Sequence, residues 1–328
     1  MEQTNATQFK PQVACIGILV ADLFVPPLPR LPEAGELLRV DDFLLSVGGC
    51  AANTAVDLAR LGGSAAVFGK VGQDLFGDFV VQELARQGAK TDGISRSARQ
   101  PTSRTVILPV AGEDRRYIHS VGANADFTLS DVDLDRVFDA RILYVGGYLL
   151  LPGVAPRALF NLFNKAQQRG MATVLDIAGV RPGDLGLLTE VLPAVNLFLP
   201  NRDEAAALTG TDDVAEQAEL FLQLGAEQVG ITLGEEGAFV SSRTERIQAA
   251  PFAVHAVDAS GGGDAFAAGC MVGLLEGWDL ARTVTFASAV GALACTALGC
   301  TLGVRTRAET EAFIHSQPAR QHIRSLRP

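Results

Sequence analysis

The sequence predicts an α/β protein with a mainly parallel central sheet, helices on both faces of that sheet, and a small β lid. Three observations lead to this fold class. A continuous apolar run lies near the start of the chain (residues 13–20), strand-like and helical stretches alternate regularly from residue 141 onward, and two segments interrupt that alternation. Continuous apolar runs suit strands buried on both faces, and strand–helix alternation is typical of parallel sheets.

The first half of the chain contains four predicted elements of the core. Apolar positions at helical spacing mark the first helix, and the pair Gly62-Gly63 ends it as a C-cap does. Gly88 stops the second helix in the same way. In order, these elements are a strand at 13–20, a helix at 49–61, a strand at 65–72 and a helix at 77–87.

The second half repeats a unit in which a short apolar strand precedes a helix. The predicted strands are 141–148, 172–177, 196–201 and 228–234, and the predicted helices are 157–170, 184–191, 202–210 and 214–225. Such a repeat predicts strands that lie parallel in one sheet, with the connecting helices packed on its faces.

The lid is predicted from two segments in which apolar and polar residues alternate. Residues 23–46 contain four prolines and then the stretch ELLRVDDFLLS, and residues 102–121 read as a hairpin around the turn AGED. Alternation suits antiparallel strands with one exposed face. The expected domains are therefore a core (10–22, 49–100 and 125–328), a β lid (23–48 and 101–124) and a flexible tail (1–9).

Composition limits the class of protein and its partners. Of the 328 residues, 48% are hydrophobic and 20% are charged, as in ordinary globular proteins. The net charge of −10 argues against a nucleic-acid partner, although not against a small anionic ligand. The five cysteines lack the spacing of metal ligands. The first dozen residues lack the apolar core of a signal peptide, and no apolar run is long enough to span a bilayer. These features predict a soluble, cytoplasmic protein without a membrane partner.

The stretch VDASGGGDAFAAG (257–269) places three glycines before an aspartate and an apolar run of helical length. Because Gly261–Gly263 have no Cβ atoms, an anion can approach backbone N–H groups at the positive end of a helix dipole. Asp264 would then accept the proton of an attacking alcohol in phosphoryl transfer, and the helix terminus is expected to keep it ionised. The alternative is that Ser260 or Asp264 only caps the helix.

A second glycine pair lies in the stretch SVGGCAAN (46–53). Gly48 and Gly49 would let a neutral polyol approach the start of the first helix, and the Asn53 amide can both donate to hydroxyl groups and accept from them. Asp22 follows the first apolar run, and ligands of open α/β sheets gather at the carboxyl ends of strands. The alternatives are a helix start with a buried Asn and an Asp that only forms a turn.

Four motifs together resemble the ribokinase-like (PfkB) family of carbohydrate kinases. They are GGCAAN (48–53), LPNRDE (199–204), ITLGEEG (231–237) and DASGGGD (258–264), in the order that the family shows. The resemblance covers the chain from about residue 13 to residue 303. It implies a ribokinase-like fold and an ATP- and Mg²⁺-dependent sugar kinase.

The resemblance also implies a role for each matching residue. Asp264 is expected to be the catalytic base, and the amides of Gly261, Gly262 and Gly263 an anion hole for the transferring phosphoryl group. Substrate contacts are expected from Asp22, Gly48, Gly49 and Asn53, with Arg104 and Asn124 added from the lid. The nucleotide is expected at Asn201, Thr232, Gly234 and Gly237, and metal ions at Asn201, Glu204 and Asp258, with a monovalent cation (K⁺) near Asp258.

Some positions of these motifs have other interpretations. Asn201 and Glu204 also fit an ordinary capping box at a helix start. Ala259 stands where the family usually has Thr, which predicts a weaker dependence on a monovalent cation. Gly262 stands where the family has Ala, which predicts a slightly looser turn.

The acceptor substrate is left open by the sequence. A monosaccharide or sugar acid is the first expectation, and an inward-facing lid arginine would favour an acid; the candidate lid side chains are Arg104, Arg115, Arg116, His119 and Asn124. A nucleoside is the second expectation, with Phe24, Phe43 or Phe127 as stacking partners.

The same residues bear on two other classes of protein and on the oligomeric state. A non-catalytic sugar sensor is a less favoured interpretation, since it has no need of Asp264. A dinucleotide-dependent oxidoreductase is disfavoured because ADLFVPPLP follows the first strand instead of a GxGxxG turn. Exposed strand edges in the lid predict a homodimer.

Overall fold

The computed structural model describes residues 10–113, 116–317 and 323–326. The expected tail (1–9) and Arg115 lie outside the described residues. In the first half of the chain, the elements are β1 (Val13–Gly17), β2 (Val20–Phe24), β3 (Leu44–Gly48), α1 (Cys50–Arg60), β4 (Ala65–Gly72), α2 (Leu75–Arg86), β5 (Lys90–Ser97), β6 (Arg104–Leu108), β7 (Arg116–Ser120) and α3 (Leu134–Val137).

The second half continues the strand–helix repeat. Its elements are β8 (Ile142–Gly146), α4 (Pro156–Gln167), β9 (Ala172–Leu175), α5 (Leu185–Val191), β10 (Leu197–Phe198), α6 (Arg202–Thr209), α7 (Val214–Gln223), β11 (Gln228–Thr232), β12 (Ala238–Ser242), β13 (Arg246–Ala249), α8 (Gly262–Glu276), α9 (Leu280–Ala294), α10 (Arg307–Ser316) and β14 (Ile323–Leu326). No helix among the described ranges is both long and apolar enough to cross a membrane.

Ten of these strands form one central sheet in the order β14-β13-β12-β11-β10-β9-β8-β1-β4-β5. The seven strands from β11 to β5 are parallel, and β12, β13 and β14 extend the sheet as antiparallel strands. The predicted fold class, a mainly parallel sheet covered by helices, is therefore confirmed. The antiparallel extension was not predicted.

Both faces of the sheet are buried, because the residues of one strand serve two cores. In β1, Val13 and Cys15 belong to the core under α1, α2, α8 and α9. Their neighbours Ala14 and Ile16 belong to the core under α4, α5, α6 and α7. All five residues of β1 are buried, which explains why the strand reads as a continuous apolar run instead of an alternating one.

The first apolar run contributes to two sheets instead of forming one strand. β1 ends at Gly17, and β2 begins at Val20 in the lid. Between them, the Leu19 N–H donates to Asn124 Oδ1 and the Leu19 carbonyl accepts from Asn124 Nδ2, both at 3.1 Å. The Asn124 side chain thus pairs with the main chain at the crossing, where Leu19 pairs with no neighbouring strand among the described residues.

The lid is a four-stranded sheet in the order β3-β2-β6-β7. β2 and β6 are parallel, and the other two pairs are antiparallel. The predicted hairpin of the second segment is present as β6 and β7. In the first segment only the end of the alternating stretch pairs, because residues 30–43 form no strand. The lid also starts at Val20 instead of at residue 23, so Asp22 belongs to the lid.

Candidate active site

Many of the predicted site residues lie at the carboxyl ends of the parallel strands. From β1, the chain first moves outward to β4 and β5 and later returns to build β8, β9, β10 and β11 on the other side. The reversal lies between β1 and β8, and such a switch point is where open α/β sheets bind ligands. α1 and α8 begin at this edge of the sheet, and the lid strands continue from it.

The glycine turn before α8 is tightly constrained. Gly261 is the N-cap of α8 with φ +78°, and a side chain there would overlap the Cys300 carbonyl. The Asp258 carboxylate fixes the turn, because Oδ1 accepts from the Ser260 N–H at 2.9 Å and Oδ2 accepts from the Gly299 N–H at 3.0 Å. A Cβ added at Gly263 would meet nothing within 4 Å. The turn therefore leaves room for an anion on the Gly263 side, whereas the Gly262 N–H donates to the Ala259 carbonyl at 3.3 Å.

Asp264 lies in the first turn of α8 and contacts α1. Its Oδ2 accepts a hydrogen bond from Asn53 Nδ2 at 2.8 Å, so the two glycine motifs meet through these side chains. Burial raises the pKa of Asp264, and hydrogen bonds from Asn53 and Cys50 oppose that rise. Burial therefore has a larger effect on the pKa of this carboxyl than the two hydrogen bonds have, and its ionisation stays a prediction. A raised pKa makes Asp264 a stronger base.

Asp22 faces the same space from lid strand β2. Its carboxylate occupies the volume that a Gly48 side chain would fill, so Gly48 allows Asp22 to lie against the start of α1. Gly49, with φ +93°, is the N-cap of α1 and lies close to the Ile18 carbonyl. Burial raises the pKa of Asp22 to about 6, a hydrogen bond with Thr105 lowers it, and the nearby Asp264 and Asp258 raise it.

The sequence-based reasoning missed a further group of side chains at this site. The ligand atoms of Cys50, Asp176 and Asp264 lie within 4.8 Å of one another. Tyr144 Oη donates to Asp176 Oδ2 at 2.8 Å, and Thr54 Oγ1 donates to Tyr144 Oη at 3.3 Å. A usable signal was present, because Asp176 directly follows the apolar strand β9 just as Asp22 follows the first apolar run.

The predicted nucleotide residues lie at the ends of β10 and β11. Asn201 and Glu204 form a capping box at the start of α6, in which Asn201 Oδ1 accepts from the Glu204 N–H at 2.9 Å and Glu204 Oε2 accepts from the Asn201 N–H at 3.0 Å. Thr232 pairs with Asn201 in an isolated bridge. Space beside Gly234 is open, whereas Gly237 is packed against the Ala249 carbonyl.

Burial and neighbouring carboxylates also affect the Glu204 side chain. The pKa of Glu204 is raised to about 7, mainly by burial; Asp264 and Asp203 contribute to the rise, and the Asn201 N–H opposes it. Asp264 is therefore close enough to Glu204 to disfavour the ionised form of its carboxyl group. Both interpretations of Asn201 and Glu204, as a cap and as site residues, are compatible with this geometry.

Two lid residues do not point into the site as expected. The Asn124 side-chain oxygen and nitrogen both form hydrogen bonds with the Leu19 main chain. Asn124 therefore stabilises the crossing between the core and the lid instead of presenting a free amide to a substrate. Arg104 pairs with Ala21, whereas its neighbour Thr105 pairs with Asp22. Because side chains alternate along a strand, Arg104 faces away from Asp22, and its guanidinium lies 5.4 Å from the centre of the Phe76 ring.

The remaining lid side chains are distributed as follows. His119 lies on the same face as Asp22, and its Nδ1 is 3.0 Å from Thr105 Oγ1. Burial lowers the pKa of His119. Arg116 forms an ion pair with Glu113 in the turn of the hairpin.

Comparison with known proteins agrees with this geometry. The model of the pfkB family carbohydrate kinases matches residues 10–307. The chain is 30% identical to a ribokinase of Haemophilus influenzae over 305 residues, which cover 91% of this chain and 97% of that protein. It is 28% identical to a 2-dehydro-3-deoxygluconokinase of Bacillus subtilis over 301 residues, which cover 87% and 91% of the two chains.

A solved structure shows the same fold. Arabidopsis thaliana ribokinase complexed with ribose and ATP superimposes with a TM-score of 0.80 at 23% identity, over 94% of this chain and all of that one. Because the family model matches most of its length, the chain belongs to the pfkB family of carbohydrate kinases, which are phosphotransferases with an alcohol group as acceptor.

Proposed function

We propose that this member of the pfkB family of carbohydrate kinases transfers the γ-phosphoryl group of ATP to a hydroxyl group of a neutral monosaccharide. The observation that carries the proposal is the hydrogen bond between Asn53 and Asp264. It supports the proposal because it joins an amide suited to polyols with a carboxylate in the first turn of α8, a helix terminus suited to binding a phosphoryl group.

The proposed mechanism follows from the position of each group. The sugar lies between Asp22 on the lid and Asn53 on α1, and its reacting hydroxyl faces Asp264. Asp264 accepts the hydroxyl proton as the oxygen attacks the γ-phosphorus. The amides of Gly261–Gly263 donate to the phosphoryl oxygens, where negative charge must be held during transfer.

The acidic groups of the site fit a magnesium ion. Among the described residues, the charged neighbours that shift the pKa of Asp22 and Asp176 are all carboxylates. Glu204 also presents a carboxylate at this edge, and hard oxygen ligands are those that Mg²⁺ prefers. Glu204 and Asn201 would hold the ion, largely through water, and the bound ion would neutralise charge on the ATP phosphates. A monovalent cation near Asp258 stays a prediction of the family resemblance.

The charge of the site favours a neutral sugar over a sugar acid. An acid would bring a further negative charge to Asp22, Asp176 and Asp264, and the lid residue expected to compensate it, Arg104, faces Phe76. A nucleoside has less support, because two of the expected aromatic partners are packed in the protein interior. Phe24 and Phe127 are both at most 1% exposed, which leaves only Phe43 accessible.

The test is ATP turnover across a panel of neutral sugars, sugar acids and nucleosides, with Asp264→Asn as the variant. The new amide can still accept the hydrogen bond from Asn53, so the fold is kept while the base is lost. We expect kcat to fall by on the order of 10²- to 10⁴-fold with little change in KM. The matched control is Asp78→Asn, a first-turn acid of α2 outside the site.

Several outcomes would contradict the proposal. A loss of less than tenfold in Asp264→Asn would reject this residue as the base. Turnover of sugar acids or nucleosides in preference to neutral sugars would reject the substrate class. Thermal stabilisation by a sugar without any turnover would point to a sensor, because a ligand that binds only the folded state raises the melting temperature.

Location in the cytoplasm and dimerisation through the lid are further parts of the proposal. Apolar side chains exposed on or beside the lid, including Phe43 (51% exposed) and Ile118 (64% exposed), support a contact with a second copy. Light scattering that shows a monomer at micromolar concentration would refute the dimer.

A further inference from the structure

We propose that Cys50, Asp176 and Asp264 form a binding site for a thiophilic divalent cation such as Zn²⁺ or Cd²⁺, and that such an ion inhibits the enzyme by occupying its base. The binding itself is independent of the proposed function, because it requires only the three side chains. The inhibition rests on the proposed role of Asp264.

The three ligands come from three elements that the fold brings together. Cys50 is the first residue of α1, Asp176 follows β9, and Asp264 lies in the first turn of α8. One ligand atom of each lies within 4.8 Å of the other two. Ligands of a tetrahedral Zn²⁺ lie about 3.5 Å apart at ordinary bond lengths, so an approach of roughly an ångström completes the set.

A fourth group marks the same position as a place for a ligand. Asn53 is only 3% exposed, and its Oδ1 has no hydrogen-bond partner among the described residues. The Nδ2 of the same amide donates to Asp264 Oδ2, so the unpartnered oxygen lies beside the cluster. A buried amide oxygen without a donor is costly, and it can accept from a sugar hydroxyl or coordinate a cation.

The electrostatics of the cluster favour a cation over other reactions of the thiol. Burial raises the pKa of the Cys50 thiol, and the carboxylates of Asp264, Asp176 and Glu204 raise it further. A thiol held in its protonated form is a poor nucleophile, so alkylation and oxidation are disfavoured. A divalent cation relieves the repulsion between the acidic groups, and when it binds it replaces the thiol proton, which is released to solvent.

The thiol also determines which ions compete at the site. Mg²⁺ prefers oxygen ligands and gains nothing from sulfur, whereas Zn²⁺ and Cd²⁺ bind thiolate strongly. Because Asp264 and Asn53 face the sugar hydroxyl, the inhibition should be competitive with the sugar and not with ATP.

The test is a titration of the enzyme with Cd²⁺ in the absence of both substrates. Binding is followed by the sulfur-to-cadmium charge-transfer absorption and by calorimetry. We expect one ion per chain in the wild type, and at least tenfold weaker binding without that absorption in Cys50→Ser, which keeps a hydrogen-bond donor to the carboxylates. Asp176→Asn, which keeps the thiol, should also bind at least tenfold more weakly.

The matched control is Cys295→Ser. Cys295 is a partly buried cysteine outside the cluster, and its Sγ donates to the Gly291 carbonyl, as a serine hydroxyl can. We expect this variant to bind Cd²⁺ like the wild type. Unchanged binding in folded Cys50→Ser, or loss of binding in Cys295→Ser, would overturn the proposal. Because the titration contains no substrate, its result is separate from the test of kinase activity.

Discussion

The substitution Gly263→Ala separates the stability of the glycine turn from its function. Gly263 is helical, and a methyl group there meets nothing within 4 Å. The fold should therefore gain about 0.5–1 kcal/mol, because alanine loses less backbone entropy in a helix than glycine. In a protein of this size that gain corresponds to a rise of about 1 °C in the melting temperature.

Activity should change in the opposite direction. In the proposed site, the added methyl group would occupy space needed by a phosphoryl group at the start of α8. Loss of one such donor lowers kcat by on the order of 10²- to 10³-fold, or about 3–4 kcal/mol of transition-state stabilisation. Calorimetry and steady-state kinetics on the same preparation measure both effects.

Gly261→Ala is the comparison variant. At φ +78°, alanine costs about 1–2 kcal/mol, and its methyl group overlaps the Cys300 carbonyl as well. We expect lower stability and lower activity together. If Gly263→Ala kept full kcat/KM while its stability rose, phosphate would not approach this turn, and the assignment of the anion hole would be refuted.

Three more predictions concern single groups. Asp57 is fully buried, neither of its carboxylate oxygens has a hydrogen-bond partner among the described residues, and burial raises its pKa. The stability that Asp57 contributes is therefore complete below the unfolded pKa of about 3.9 and is lost as the pH rises. The melting temperature of Asp57→Asn should accordingly increase relative to that of the wild type between about pH 4 and pH 8. In Gly48→Ala the new methyl group displaces the Asp22 carboxylate, so the KM for sugar should rise by on the order of tenfold while the KM for ATP stays constant; equal changes in both would refute this role of Asp22. Glu204→Gln should keep its capping box and melting temperature, but the rise in wild-type KM for Mg-ATP as pH falls through the Glu204 pKa of about 7 should be absent from the variant.

The fold was predictable because the signals for it are local. Residues of the parallel strands are buried on both faces, and this burial shows directly as apolar runs between helices. The division of residues 13–24 into two strands could not be predicted, since β1 and β2 are almost equally buried and the crossing depends on Asn124, more than 100 residues away.

The residues of the candidate site could be predicted where they belong to short sequence motifs. Asp264, Asn53 and the glycine turn each belong to a helix start with its own sequence signature, and the two helix starts meet through the Asn53–Asp264 hydrogen bond. The partnership of Cys50 with Asp176 requires two elements far apart in sequence to meet. The direction of Arg104 depends on strand register, because a shift of one residue reverses the face of every side chain.

Because Asp22 lies on lid strand β2, the proposed sugar site is divided between the lid and the core. Asp264 and Asn53 are fixed to helices of the core, whereas Asp22 is carried by β2 and paired on both sides with other lid strands. If the lid moves as a rigid body, it must therefore carry this carboxylate toward Asp264 and Asn53 or away from them. A single movement of the lid would then both bind the sugar and release it. Tighter binding of the sugar would therefore be accompanied by slower exchange of the sugar with solvent.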